Sequence, residues 1–161
     1  IQRSGQRSTG LEVSLNGRVN DGWLVVASFA NTDARDDRTG TAIALVPKNR
    51  LTLFNRFNVG HGPLKGLNLG FGAIFTGSRP LTATSARGAA TAPNWGPLPA
   101  AWRFDATLGY KYRPAQSRFS YDFGLNITNL FDRTDLYYLA AWDRATIDPG
   151  RTIRFTTGVR F

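Results

Sequence analysis

The sequence predicts an all-β fold: an antiparallel up-and-down transmembrane β-barrel, of which these 161 residues supply about seven strands. Three observations support this prediction. Segments of about ten residues alternate between apolar and polar side chains, as strands do when lipid lies on one side and a polar interior on the other. The connections between these segments are alternately short and long. Aromatic residues lie near the segment ends, where barrel strands cross the membrane interfaces.

The composition permits a barrel and excludes several other classes. With 42% hydrophobic and 19% charged residues, the chain is too apolar to be disordered. No stretch approaches the roughly 18 consecutive apolar residues of a membrane-spanning helix, whereas barrel strands give a weaker hydropathy signal. The absence of Cys excludes a disulfide framework and a thiolate metal site. Because the chain also lacks Met, even at position 1, we expect it to be a processed or partial product.

The net charge of +9 points to an anionic partner. Nucleic-acid-binding domains cluster their basic residues on one helix or patch, but here the Arg residues are spread at about one per strand or loop. We therefore predict no nucleic-acid binding. Anionic lipid and an anionic ligand remain as partners.

The alternation predicts the first four strands at residues 10–19, 23–30, 48–59 and 67–76. Asn20-Asp21-Gly22 joins the first two as a tight turn, because Asp-Gly tolerates positive φ. Residues 31–47 are predicted as a long polar loop and residues 60–66 as a short turn. In the fourth strand the parity of Gly70 and Gly72 carries small residues, which predicts a crowded inner wall.

The remaining strands are predicted at residues 101–112, 118–128 and 151–161. A tight turn at residues 114–117 joins the first two, and residues 77–100 and 129–150 form long loops, the second with a possible short strand in 135–142. The last strand carries apolar residues on one parity and ends on Phe161. Seven antiparallel strands cannot close with this topology, so we expect a wall of a larger barrel.

If the short turns are periplasmic, the aromatic residues form girdles at the two membrane interfaces. A soluble sandwich would bury its aromatics but would not need to sort them to the strand ends. The predicted girdle residues are Trp23, Phe57, Trp102, Tyr110, Tyr112, Phe119 and Phe161.

Several segments resemble one family. They are Val46-Pro47-Lys48-Asn49, Gly66-Leu67-Asn68-Leu69-Gly70-Phe71-Gly72, Leu98-Pro99-Ala100-Ala101-Trp102-Arg103-Phe104-Asp105-Ala106, Asn126-Ile127-Thr128-Asn129-Leu130-Phe131-Asp132, Pro149-Gly150-Arg151-Thr152 and the terminal Phe161. In this order and spacing they resemble the carboxy-terminal part of a TonB-dependent outer-membrane receptor, most strongly of the siderophore-receptor branch. The Asn-Leu-Phe-Asp stretch is the most specific of them.

This resemblance implies that residues 1–161 form the carboxy-terminal segment of a 22-stranded barrel in the outer membrane of a Gram-negative bacterium. The amino-terminal plug and the earlier strands would lie outside this sequence. The implied partners are outer-membrane lipid and lipopolysaccharide, the rest of the receptor with its plug, and the barrel assembly machinery, which reads the terminal strand. The TonB complex would be contacted only through the absent amino-terminal part.

No catalytic or metal site is predicted, so we interpret the chain as a non-enzyme without a cofactor. His61 is the sole histidine and lies in a Gly/Pro turn, where a solvated residue is expected. Asp36 and Asp37 fall in a mixed-charge loop, which indicates a solvated loop tip rather than an acid pair. Asp105 and Asp122 share the inward parity with Arg103 and Lys111, which predicts a ladder of charges facing the lumen.

Recognition is predicted in the long loops, because the short turns cannot form a pocket. Arg binds anionic oxygens and aromatic rings offer flat apolar contact, a combination that suits a ferric siderophore. Lipopolysaccharide phosphate is a competing partner for the Arg residues. The candidate ligand-binding residues are Arg35, Arg38, Arg79, Arg87, Trp95, Tyr137, Tyr138, Trp142 and Arg144.

The sequence thus predicts the barrel portion of a receptor that imports a ferric siderophore. Two alternatives stay open at this point. One is a receptor of the same family for another ligand, such as vitamin B12, haem or a sugar. The other is a small structural or adhesive barrel without a transport role.

Overall fold

The computed structural model describes residues 5–80, 97–134, 137–140, 144–147 and 149–161. Within these ranges, no helix is long and apolar enough to span a membrane. The strands of the described residues are β1 (Gln6–Asn20), β2 (Trp23–Asp36), β3 (Asn49–Asn58), β4 (Leu67–Thr76), β5 (Ala101–Tyr112), β6 (Ser120–Thr128), β7 (Tyr137–Ala140), β8 (Arg144–Ile147) and β9 (Thr152–Arg160).

Seven of these strands form one antiparallel sheet in the order β1-β2-β3-β4-β5-β6-β9, which confirms the predicted meander. The other two, β7 and β8, form a separate hairpin within the last long connection. The possible short strand in residues 135–142 corresponds to β7, whereas its partner β8 was not predicted.

Two predicted boundaries were wrong. The first strand begins at Gln6 rather than at residue 10, and the second continues to Asp36 rather than ending at residue 30. The two extensions pair with each other, from Gln6 opposite Asp36 to Leu11 opposite Asn31. Because the ladder is made by backbone groups, polar side chains do not interrupt it. The hairpin therefore continues past the apolar part of the strands.

The register keeps all apolar parities on the same face of the sheet. Leu53 lies opposite Ala73, and Ala73 opposite Phe104. This face stays open, with Leu11 60% and Phe155 66% exposed. Among the described residues, the buried apolar side chains are only Ala73, Leu98 and Ala101. Large apolar side chains on an uncovered face are typical of the outer face of a membrane β-barrel.

The opposite face is polar and locally crowded, as the small-residue parity of β4 predicted. Phe54 lies directly opposite Gly72. A Cβ on Gly70 would lie 3.4 Å from the Phe54 ring, and one on Gly72 would lie 3.8 Å from it. The crowding is at Gly70, where a Cβ would clash with the Thr107 side chain, whereas a Cβ on Gly72 would make only ordinary contacts.

Candidate functional site at the loop end of the sheet

The long connections gather at one end of the sheet and enclose a cavity of about 310 Å³. It lies between the carboxy-terminal part of β2 and the first two long loops. Its lining mixes charged, hydroxyl and apolar groups, among them Thr32, Asp33, Arg35, Ile43, Lys48 and Pro80.

Backbone hydrogen bonds hold these loops against β2 and against each other. The Ile43 N–H donates to the Ala34 carbonyl at 2.9 Å, and the Leu45 N–H donates to the Pro80 carbonyl, also at 2.9 Å. Leu45 has a φ of 65°, a left-handed conformation that is uncommon for a non-glycine residue. The first long loop is therefore fixed to both the strand and the second loop.

Arg35 lies near the end of β2 at the rim of this cavity. Its Nε is 3.0 Å from an Asp33 carboxylate oxygen, and its Nη1 donates to the Gly40 carbonyl at 3.1 Å. The side chain is 49% exposed. Part of the guanidinium is thus fixed while the rest faces the solvent.

Arg38 lies in the turn that follows β2, in an exposed position. Asp36 organises this turn, since its Oδ1 accepts the N–H groups of Arg38 at 2.9 Å and Thr39 at 3.0 Å. The Thr39 backbone hydrogen bond is the main reason that the pKa of Asp36 lies below its usual value. Asp36 is therefore the last residue of β2, and its side chain caps the turn that follows. This is a more specific role than that of the predicted solvated loop tip.

Arg79 lies at the base of the second long loop, where it pairs with Leu98. It exchanges backbone hydrogen bonds with Leu98, at 3.0 Å and 2.9 Å. Its Nε is buried and has no hydrogen-bond partner within the described part of the chain. A buried, unsatisfied guanidinium N–H costs free energy, but Arg79 itself does not line the cavity, which its neighbours Ser78 and Pro80 do.

The third long connection begins with a clamp built by the Asn-Leu-Phe-Asp stretch. Asn129 is 3% exposed, donates from Nδ2 to the Arg133 carbonyl at 2.8 Å and accepts the Arg133 N–H at 3.0 Å. The Asp132 carboxylate accepts the Arg151 N–H at 2.6 Å across the base of the loop. Sequence reasoning used this stretch only as a family motif and missed its structural role.

The clamp leads into the β7–β8 hairpin. In it Tyr138 lies opposite Thr146, and Ala140 lies opposite Arg144. Tyr137, Tyr138 and Arg144 therefore belong to one short hairpin at the loop end of the sheet. Arg87, Trp95 and Trp142 lie outside the described residues. The structure brings Arg35 and the loop of Arg79 to one cavity.

The predicted girdle residues lie on the apolar face, toward the strand ends. Trp23 stacks on Phe57 with ring centroids 5.4 Å apart, and its Nε1 donates to Asn55 at 3.1 Å. The rings of Phe75 and Trp102 are 5.0 Å apart near the long loops. Near the short turns, Tyr110 and Tyr112 stack along β5, Arg118 lies over the Phe119 ring at 5.3 Å, and Phe161 is 95% exposed.

The predicted inward charges form pairs, although one partner differs from the prediction. Arg103 contacts Asp105 at 3.3 Å on the same strand. Asp122 contacts Arg160 at 3.1 Å, not Lys111, although Lys111 lies directly opposite it. Parity fixes the face on which a side chain lies, but the long Arg160 side chain reaches Asp122 from the next strand. His61 is exposed in its turn, as predicted.

An amphipathic meander with short turns at one end and long loops at the other defines a wall of an outer-membrane β-barrel. The family model described as "TonB dependent receptor-like, beta-barrel" matches residues 1–130. The chain belongs to this family of receptors, which are outer-membrane proteins of Gram-negative bacteria.

Three relatives illustrate the similarity. The probable TonB-dependent receptor BfrD of Bordetella pertussis is 26% identical over 93% of this chain and 20% of that protein. The ferric-catecholate import receptor Fiu of Escherichia coli K12 has a TM-score of 0.71 and 25% identity over 97% of this chain and 21% of that chain. The ferric preacinetobactin receptor BauA of Acinetobacter baumannii has a TM-score of 0.80 over 98% of this chain and 22% of that chain, at 18% identity, a likeness of fold. The chain thus spans about a fifth of the length of these relatives.

Proposed function

We propose that the protein is the carboxy-terminal barrel portion of an outer-membrane receptor that imports a ferric siderophore. The observation that carries the proposal is the cavity at the loop end, where Arg35 and the loop of Arg79 converge. The similarity to Fiu, a ferric-catecholate import receptor, supports the same ligand class.

The chemistry of the loop end suits an anionic complex. Arg35 lines the cavity and keeps part of its guanidinium exposed, and Lys48 adds a second cation to the lining. Arginine N–H groups bind carboxylate and other anionic oxygens with directional hydrogen bonds. The β7–β8 hairpin adds Tyr137, Tyr138 and Arg144 to this end of the molecule, and we propose that they complete the recognition surface together with Trp142 and the remaining loop residues Arg38, Arg87 and Trp95.

The other parts of the receptor follow from the family. Its members are receptors and transporters, and we propose that this chain has no catalytic step. We further propose that a plug from outside these residues fills the lumen and that TonB is contacted through that part. Lipid meets the apolar face, lipopolysaccharide phosphates compete for the loop arginines, and the aromatic strand ends listed above form the interface girdles.

The experiment uses the full-length receptor with Tyr137, Tyr138, Trp142 and Arg144 replaced by Ala. We expect weaker binding of the ferric siderophore to cells that carry this variant, with unchanged barrel yield. Arg118→Ala, at the opposite end of the sheet, is the matched control and should bind normally. Unchanged affinity in the fourfold variant would place recognition outside this hairpin. Uptake of haem, vitamin B12 or a sugar in place of the siderophore would refute the proposed ligand class.

A further inference from the structure

We propose that the apolar face of the sheet carries a binding site for the headgroup of an anionic phospholipid, at the end nearest the short turns. The site consists of Arg113, Arg118 and a tyrosine row, which is the set Tyr110, Tyr112 and Tyr121. Because the short turns of outer-membrane barrels are periplasmic, the lipid belongs to the periplasmic leaflet. The site is separate from the cavity at the loop end and does not depend on which ligand the receptor imports.

The tyrosine row lies at the level of a membrane interface. On the apolar parity of β5, Tyr112 comes ten residues after Trp102, which lies at the long-loop end. At about 3.3 Å per residue and a tilt of about 40°, this stretch spans about 25 Å along the membrane normal, which is the height of the apolar band of an outer-membrane barrel. Trp102 and Tyr112 therefore mark the two borders of the band, and the tyrosine row meets headgroups.

The three rings stack in a continuous row across two strands. Tyr112 lies directly opposite Tyr121, with ring centroids 6.4 Å apart, and the Tyr110 ring lies 6.3 Å from that of Tyr112 along β5. None of the three phenol hydroxyls has a hydrogen-bond partner within the described ranges. Because stacking restricts the rings, the row offers preformed O–H donors to a ligand at the interface.

Two arginines flank the turn at residues 114–117, which joins the strands that carry the row. Arg113 is exposed before the turn and Arg118 is exposed after it. The guanidinium carbon of Arg118 lies 5.3 Å from the centroid of the Phe119 ring, which holds the cation against the apolar face. Neither arginine side chain forms an ion pair or a hydrogen bond within the part of the chain that the structure describes. The site thus has two cations that no described carboxylate neutralises.

These groups match the chemistry of an anionic phospholipid. Guanidinium and phenol donors bind phosphate oxygens, and two uncompensated cations favour a headgroup with a net negative charge, such as phosphatidylglycerol, over a zwitterionic one. Next to the row, toward the midplane, the exposed side chains of Leu108 and Phe123 continue the apolar face. They give the acyl chains a surface to lie on, which a free phosphate would not use.

Native mass spectrometry of the full-length receptor in detergent measures the binding, with phosphatidylglycerol as the titrated probe. We expect Arg113→Gln with Arg118→Gln to weaken binding of this lipid about tenfold, because two charges beside the headgroup are lost. Arg18→Gln with Arg56→Gln is the matched control, since it removes the same charge from the polar face at the same end of the sheet and should retain the lipid. Equal affinity of wild type and the Arg113/Arg118 variant would overturn the proposal.

Tyr112→Phe with Tyr121→Phe tests the hydroxyls while keeping the stacked rings. We expect this variant to bind the lipid more weakly than wild type, and unchanged binding would overturn the role of the tyrosine row. It also serves as the test if the arginine variant does not fold, which heat-modifiable mobility on gels reveals. Equal affinity of wild type for the zwitterionic phosphatidylcholine, or displacement of the lipid by inorganic phosphate, would refute an anionic phospholipid as the ligand.

Photo-crosslinking locates the lipid on the receptor. The full-length receptor is reconstituted into vesicles of phosphatidylcholine and a phosphatidylglycerol that carries a diazirine near its headgroup, and the crosslinked peptide is sequenced by mass spectrometry. We expect crosslinks within residues 110–121, and crosslinks confined to the long loops or the polar face would overturn the proposal. A receptor that imports the siderophore but lacks this site refutes the lipid site alone. A receptor that holds the lipid but binds no siderophore refutes the proposed function alone.

Discussion

Arginine substitutions on adjacent residues of β2 test which face of the sheet meets lipid. Ala27 lies on the apolar face between Leu15 and Leu53, and Ser28 lies on the polar face between Ser14 and Thr52. Both residues are small and central in the apolar part of the strand. Replacing each with Arg therefore changes the same backbone environment by the same side chain, and only the face differs.

The depth of Ala27 sets the expected magnitude. On its parity the strand begins with Trp23, and the first polar residue after the apolar run is Asn31, so Ala27 lies halfway between them. Eight residues at about 3.3 Å each, in a strand tilted by about 40°, span about 20 Å along the membrane normal. An Arg near the midplane costs about 2–4 kcal/mol, which is about 30- to 700-fold in the folding equilibrium.

The assay is a denaturant titration of the full-length receptor folded into lipid vesicles. We expect Ala27→Arg to lower the free energy of unfolding by the amount given above. Ser28→Arg should lower it by less than Ala27→Arg does, because the polar face places the guanidinium among polar groups and water rather than in hydrocarbon. Equal tolerance of both substitutions, or a larger cost at Ser28, would refute the assignment of the faces.

Three further predictions concern single contacts. Deleting Phe161 from the full-length receptor should reduce the amount of heat-modifiable folded barrel on gels, since the assembly machinery is expected to read this residue. Ligand affinity in the fraction that folds should not change. A normal yield of folded barrel would count against that role. Asn129→Ala removes both hydrogen bonds to the Arg133 backbone and should cost about 1–3 kcal/mol in denaturant titration, whereas the exposed neighbour Thr134→Ala should be neutral. Because the pKa of Asp36 is lower in the folded protein, the ionised carboxylate stabilises the turn above its unfolded pKa, and this stabilisation is lost as the pH falls through the folded pKa. Amide exchange at Thr39 should therefore accelerate in acid in the wild type but not in Asp36→Asn. The same acceleration in both proteins would show that Asp36 is not the cause.

The sheet could be predicted from the sequence because its two signals are local. Alternation with a period of two assigns each residue to a face, and Asn20-Asp21-Gly22 marks the position of the first turn, although neither Asp21 nor Gly22 has the positive φ that its prediction invoked. The extension of the β1–β2 hairpin beyond the apolar part of its strands could not be predicted in this way. Residues 31–36 are polar, and their strand conformation depends on pairing with residues 6–11, which lie some distance away in the sequence.

The candidate site was less predictable, because its geometry depends on contacts between loops. The sequence marked Arg35 and Arg79 as loop cations but not the hydrogen bond from Leu45 to Pro80 that joins their loops. It marked Asn129 as part of a motif, yet the buried amide and its φ of 56° appear only in the fold. A pattern with a period of two cannot specify such irregular backbone.

The distribution of burial explains why function and stability should be tested in the full receptor. Only Ala73, Leu98 and Ala101 are buried among the apolar side chains that the structure describes, so little free energy comes from a conventional core. Every residue of β9 is exposed, and neither β1 nor β9 has a second strand partner within the described ranges. Unpaired strand edges favour aggregation, and a closed barrel abolishes them. We therefore expect this wall to be more stable inside a closed barrel in a membrane, where each strand edge has a partner, than as the isolated residues, and a denaturant titration of the two forms would measure the difference.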